Sequence, residues 1–158
     1  MNAVTAALDA MGAAYDVVAC DPDFADTAAF CEKYGYTAEQ SANTILVASR
    51  TEPKQFAACI VTADRRLDVN GTVRRLMGVR KLSFASADDT MSLTGMMIGG
   101  VTPFGLPGGV PIYIDAAVTE QPWVIVGGGD RSSKLKLAPA VLTSLAGAQV
   151  IEGLSQPR

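Results

Sequence analysis

Histidine is absent from all 158 residues of this chain. Its absence excludes Ser–His–Asp and Cys–His catalysis, and with them His-ligated zinc and haem. Cysteine is scarce as well. Cys20, Cys31 and Cys59 are odd in number and form no C-x-x-C pair, so the expectation is three buried free thiols in a reducing cytoplasm. No apolar run approaches the roughly 18–20 residues of a membrane helix. The opening segment MNAVTAALDAMGAAYDVV lacks a basic start and carries Asp9, so no secretory leader is expected. Neither a Walker loop nor a G-x-G-x-x-G turn after a strand is present, which leaves nucleotide folds without support.

What remains is apolar and lightly charged, 49% against 18%, the balance of one compact domain over residues 1–158. The net charge of −3 is unevenly spread. Between Asp64 and Lys81 stand Arg65, Arg66, Arg74, Arg75, Arg80 and Lys81, against only Asp64 and Asp68. Two readings of this segment stand side by side: a solvated helix face, or a surface that contacts phosphates.

Hydrophobic spacing and capping signals divide the chain into interspersed helices and strands. Val4, Leu8 and Met11 predict a helix over residues 3–11. A short strand is expected at Ala14–Ala19, then a helix capped by Asp26 or Thr27 and stopped by Gly35. The box Thr37–Gln40 leads into two strands, Asn43–Ser49 and Gln55–Thr62, joined as a hairpin. Asp68 predicts a cap for a helix over Val69–Met77, and Ser86–Asp89 for another to Leu93, with a strand at Lys81–Ala85 between them. Further strands are expected at Val110–Asp115, Trp123–Val126 and Leu135–Leu137, then a helix at Ala140–Ala146 and an edge strand at Val150–Ile151. The order lacks the regular βαβ rhythm of a doubly wound sheet.

The richest stretch is TGMMIGGVTPFGL, which sets Gly95, Gly99, Gly100, Gly105 and the nearby Gly108 around Pro103 and Phe104. It has no strongly ionisable side chain, so any chemistry there is done by backbone. Amides over Gly99–Thr102 could hold a carbonyl oxygen or an oxyanion, each donor contributing roughly 3 kcal/mol. A purely structural turn is the alternative. Asp115 ends a strand and is either a pocket carboxylate or the cap of the next turn, and Ser41 and Thr44 could face the same pocket. Gly127–Gly129, with Gly128 at its centre, reads as a tight turn near the pocket rim or a phosphate cradle. Cys59 reads as core, and Trp123 as a buried aromatic or a platform for a base.

In their order, SANTILV, DRRLD, KLSFASADD, TGMMIGGVTPFGL, VPIYIDAAV, VIVGGG and LKLAPAVL resemble the YbaK/prolyl-tRNA synthetase-associated domain family over nearly the whole chain. The most diagnostic part is a G-x-x-x-P loop, here Gly99–Pro103, continuing into Phe104 and Gly105. The resemblance implies an α+β fold, a curved, barrel-like mixed sheet wrapped by helices. It implies a free-standing cytoplasmic deacylase that hydrolyses the ester of mischarged tRNA carrying a small amino acid, without metal or organic cofactor. Aminoacyl-tRNA is the implied partner and an aminoacyl-tRNA synthetase a second one. On this reading Asn43, Gly99, Gly100, Val101, Thr102 and Pro103 carry the chemistry. Thr44, Phe104, Gly105, Asp115 and Gly128 bind substrate, and Arg65, Arg66, Arg74 and Arg75 contact tRNA. One departure stands out: many family members have a lysine where this chain has Asn43. Asparagine offers one hydrogen bond as donor and another as acceptor but no positive charge. Water placement would fall to Asn43, to Asp115 or to a ribose hydroxyl of the substrate. The other reading is a binding module of the same fold without turnover.

Overall fold

Two apolar runs form the centre of the molecule, Ala42–Ser49 and Phe56–Thr62, paired antiparallel from Ala42 opposite Thr62 to Ala48 opposite Phe56. The computed structural model describes residues 3–97 and 100–158. In chain order its elements are α1 (Ala3–Ala10), β1 (Tyr15–Ala19), α2 (Thr27–Tyr34), β2 (Ala42–Ser49), β3 (Phe56–Thr62) and β4 (Arg65–Leu67). There follow α3 (Arg74–Met77), β5 (Leu82–Phe84), α4 (Ala87–Thr94), β6 (Ile112–Asp115) and α5 (Ala116–Thr119). Last come β7 (Val124–Gly127), β8 (Ser133–Leu137), α6 (Pro139–Thr143), β9 (Ala148–Ile151) and β10 (Ser155–Pro157).

The strands build a mixed five-stranded sheet, β5-β2-β3-β6-β9, an antiparallel sheet β1-β8-β7, and a small pair β10-β4. In the large sheet β6 runs parallel to both β3 and β9. The α+β class matches the expectation, but the sheets do not close into a barrel. A single parallel bridge, Ser41 to Ile125, joins the two larger sheets among the described residues. No described helix is long and apolar enough to cross a membrane.

Side-chain alternation sorts the apolar residues into layers. On β3, Ala58 and Ile60 face a core shared with α1, α5, α6 and the inner face of the three-stranded sheet. Ala57, Cys59 and Val61 face a second core under Val69, Val73 and Leu154. Burial on both faces explains why β2 and β3 read as continuous apolar runs instead of alternating ones. A third cluster, Cys20, Ala25, Phe30 and Ile125, lies where α2 covers the outer face of β7 and β8.

Local signals set most boundaries. Gly35 and Gly95 end α2 and α4 in the left-handed region, at φ 80° and 71°. Thr37 and Gln40 form the expected capping box, and Ser86 accepts the Asp89 amide at 3.0 Å. The helix expected over Val69–Met77 is divided. Its first turn is wide, with the Val73 amide reaching the Asp68 carbonyl, and the α-helix proper begins at Arg74. Asp68 caps it as expected, accepting from the Thr72 amide at 3.0 Å, the Thr72 hydroxyl at 2.9 Å and the Gly71 amide at 3.2 Å. These donors hold the Asp68 carboxyl below its ordinary value, the Thr72 amide contributing most. The pair β4 and β10 was not legible locally. Each is three residues long, and they meet only because Leu67 and Ser155 lie opposite each other across the chain's last turn.

Candidate functional site

The site follows from an interruption in strand pairing along β2. One side of this strand is paired with β3 along its length. On the other side it meets the Ser41–Ile125 bridge at its start and β5 only from Val47, with the Ala85 amide on the Leu46 carbonyl at 2.9 Å. Between these points no strand among the described residues occupies the edge, and a cavity of about 300 Å³ opens there. Its floor is Asn43–Leu46. Phe84, Ala85 and Thr90 form one wall and Val101 and Gly127 another, while Asp26, Thr27 and Lys134 close the remaining side.

Asn43 lies in this cavity with its amide oriented. The Thr27 hydroxyl donates to Asn43 Oδ1 at 2.8 Å, which leaves the side-chain NH2 as the group free to donate to a ligand. Thr44 is also on the lining. Its buried hydroxyl has no hydrogen-bond partner among the described residues, a situation that costs about 1–3 kcal/mol when nothing else binds there. Asp26, the one carboxylate on the lining, is paired with Arg131 at 3.1 Å. Lys134 is only 7% exposed, under α2, with Nζ 5.6 Å from the centre of the Phe30 ring. Burial lowers its pKa from the ordinary lysine value, against the opposing pull of Cys20.

The glycine loop meets the cavity through Val101. Gly99 lies outside the described residues. Gly100 donates its amide to Met97 at 3.0 Å and accepts the Gly129 amide at 2.8 Å, so its N–H is not available to an oxyanion. Its missing side chain serves packing, since a Cβ there would run into the Asp130 carbonyl. A Cβ on Gly127 would likewise strike the Val101 carbonyl. The two glycine segments are thus interlocked backbone to backbone. The amides of Val101 and Thr102 make no hydrogen bond with described residues, and the Thr102 hydroxyl is buried without a partner among them.

Several expected site residues lie elsewhere. Phe104 is fully buried in the main core, the largest apolar group in its stretch of chain. Pro103 and Gly105 border a separate surface depression with Pro107 and Leu145. Gly128 is buried behind Gly127, against Ser133, and it is Gly127 that is on the lining. Asp115 is 3% exposed and binds the Ser155 hydroxyl, with Arg65 Nε 3.7 Å away. It is therefore a tie between β6 and the β4–β10 pair, and it accounts for Arg65 too, whose Nε also reaches Ser155 at 2.7 Å. Of the other arginines, Arg66 and Arg75 are exposed, and Arg74 Nε turns back to the Asn70 carbonyl at 2.8 Å. Trp123 lies outside the cavity with Lys136 Nζ 4.2 Å from its ring centre. Burial pushes the Cys59 thiol up to about 12, consistent with a core group, whereas Cys31 is only half-buried.

Lys134, Phe84 and Thr27 were missed. In SKLKL the inward residues are Leu135 and Leu137, so alternation alone points Lys134 to solvent; only the helix laid over that face encloses it. Phe84 is 61% exposed although it lines the cavity, an aromatic ring at the mouth.

The family model of the aminoacyl-tRNA editing domain matches residues 21–145. YwhH of Bacillus subtilis is 30% identical over 123 residues, 72% of this chain and 77% of that protein. EbsC of Enterococcus faecalis, named as a candidate Cys-tRNA(Pro)/Cys-tRNA(Cys) deacylase, is 25% identical over 108 residues, 68% of this chain and 63% of the relative. Among solved structures, a candidate trans-editing enzyme for prolyl-tRNA synthetase has a TM-score of 0.83 at 27% identity, over 97% of this chain and 94% of that one.

The interlock of the glycine segments has a direct consequence. Gly100→Ala and Gly127→Ala should each lower the melting temperature by several degrees, since a backbone carbonyl has to move to admit the methyl group. Thermal unfolding followed by circular dichroism measures this, and an unchanged midpoint in both variants would contradict the packing described.

Proposed function

Because the chain belongs to the aminoacyl-tRNA editing domain family, we propose that it is a trans-acting deacylase in the cytoplasm, hydrolysing the ester that links a wrong, small amino acid to tRNA. The observation that carries this reading is the cavity on the β2 edge. Its volume of about 300 Å³ is at the small end of ligand pockets, which span about 300–1,000 Å³, and this supports a small aminoacyl group. Among the described residues its lining offers hydrogen-bond donors and no thiol or imidazole.

Such a site suits an ester that is already activated. Water is the nucleophile, and the protein has to hold the carbonyl and the charge that develops on its oxygen. In the proposed arrangement the Asn43 NH2 and the Val101 amide donate to the carbonyl oxygen. The Phe84 ring at the mouth stacks on the terminal base, a contact typically worth about 1–3 kcal/mol per base. Arg66 and Arg75 continue toward the tRNA body, since the chain leads from α3 directly into β5, the strand that carries Phe84. A synthetase as second partner belongs to the same proposal.

A second reading, a binding module without turnover, is favoured by one observation, the neutral Asn43 where many family members have a lysine. A deacylation assay over Ala-, Cys-, Ser- and Pro-tRNA separates the two. Turnover above buffer with at least one of them is expected, falling roughly ten- to a hundredfold in Asn43→Ala, the scale of one lost active-site hydrogen bond. Binding of aminoacyl-tRNA with no turnover on any of the four would leave the module.

Neutralising Arg66 and Arg75 together to glutamine should reduce the log–log salt slope of tRNA binding by about one to two. Hydrolysis of a minimal aminoacyl ester should stay unchanged. An unaltered salt slope would return both arginines to the solvated surface.

A further inference from the structure

We propose that the unpaired backbone edge of β2 reads the aminoacyl group as a single residue of a neighbouring strand. The Thr44 carbonyl accepts from its α-ammonium, and the Thr44 amide donates to its carbonyl oxygen. The proposal rests on the deacylase reading and adds to it how the α-amino end of the substrate is recognised.

The pairing of β2 shows which backbone groups remain. The Ser49 amide donates to the Gln55 carbonyl and the Ala63 amide to the Ser41 carbonyl, both in the register of the β2–β3 ladder. The odd-numbered residues of β2 therefore turn their backbone groups toward β3, because bonding alternates along an antiparallel strand. Even-numbered residues turn theirs to the opposite edge. There the Ala85 amide takes the Leu46 carbonyl, and just past the strand the Arg50 amide reaches the Lys81 carbonyl. Thr44 N–H, Thr44 C=O and Leu46 N–H point to that same edge, and no described residue bonds them. Thr44 and Leu46 both line the cavity. The Thr44 hydroxyl is enclosed, so the backbone is what this residue offers a ligand. Backbone groups in a folded chain are almost always paired, and neighbouring ones left open along a cavity are completed by water or by a ligand.

The pattern selects that ligand. In an antiparallel pair, two opposite residues exchange both bonds, each giving its N–H to the carbonyl of the other. An aminoacyl ester carries the same two groups on either side of its α-carbon, a protonated amine and a carbonyl. Its ammonium makes the bond to the Thr44 carbonyl a charge-assisted one, stronger than the neutral bond of an ordinary ladder. Its carbonyl oxygen comes to lie at the Thr44 amide, on the side of the residue where Asn43 stands. The edge also limits length. Ala85 occupies it at Leu46, and the Ser41–Ile125 bridge closes the other end. At about 3.3 Å per residue, the opening takes one residue and not an extended peptide. Every α-amino acid has these two groups, so the edge recognises the aminoacyl class and leaves the choice of side chain to the cavity walls.

The test uses the full chain and three adenosines acylated through a 3′ amide, with alanyl, lactyl or propionyl groups. The alanyl compound should bind tightest. The propionyl compound, which has no donor on its α-carbon, should bind about ten- to a hundredfold more weakly, the scale of one hydrogen bond to a charged group. The lactyl compound keeps a hydroxyl donor there and should fall between them. Amide hydrogen exchange followed by NMR reads the backbone directly. In the free protein the Thr44 amide should exchange faster than those of Ile45 and Val47, and saturation with the alanyl compound should slow it by about tenfold or more. Propionyl binding as tight as alanyl, or Thr44 exchange unchanged at saturation, overturns the proposal, and turnover of aminoacyl-tRNA by the same protein would leave the deacylase reading standing. Failure of the alanyl compound to bind overturns it as well. Slowed Thr44 exchange in a wild type that hydrolyses no aminoacyl-tRNA supports the backbone rung and overturns the deacylase reading.

Discussion

The open edge of β2 is the constraint from which the rest of the site follows. A strand in the middle of a sheet spends its backbone groups on two neighbours. β2 has one neighbour throughout and a second only at its two ends, the Ser41–Ile125 bridge and the pairing with β5 from Val47. The gap between is about the length of Asn43–Leu46. It exists because β7 belongs to another sheet and is bridged to this segment only at Ser41 among the described residues, while β5 is only three residues long. The four residues Asn43 to Leu46 of this edge therefore line one cavity. The interlocked glycine segments set its far wall, and α2 with Lys134 covers the side that remains.

This arrangement decides what kind of chemistry the site can support. There is no imidazole in the chain, and the thiol of Cys59 is buried in the core with its proton held tightly. Among the described residues the cavity is lined by the Asn43 carboxamide, oriented by Thr27, by Thr27, Thr44 and Thr90 themselves, and by Val101 and Gly127 of the glycine segments. In the proposed reaction such a lining would stabilise negative charge on an oxygen and leave the attack to water. It suits an activated ester far better than an amide, whose leaving group needs a strong general acid.

Much of the fold was legible in the sequence because it was encoded locally. Thr37 to Gln40 and Ser86 to Gly95 carry their own start and stop chemistry and the structure uses both, while α2 uses only its stop at Gly35, the Asp26 side chain making no cap bond and pairing with Arg131. The two long apolar runs gave the central hairpin. Among the site residues, Asn43, Thr44 and Val101 do share one cavity. The rest was hidden for a physical reason. Asp115 looked like a pocket carboxylate because it ends a strand, but Arg65 and Ser155, brought from far along the chain, claim it. Lys134 carried no signal, because nothing in SKLKL announces the helix that encloses it. Gly100 looked like a residue kept small for a ligand, and the neighbour that needs its space is the Asp130 backbone. In each case the deciding partner lies in another element, and spacing within one segment carries no trace of it.

The central claim is that an aminoacyl group sits on the β2 edge, between Asn43 and Lys134. The most direct measurement is the structure, by crystallography or by NMR contacts, of the protein bound to an adenosine carrying alanine through a 3′ amide, which resists hydrolysis. The account predicts the alanyl carbonyl within hydrogen-bond distance of the Asn43 NH2 or the Val101 amide, with the adenine against Phe84. An analogue found instead in the depression bordered by Pro103 and Gly105, or one that does not bind at all, would contradict it.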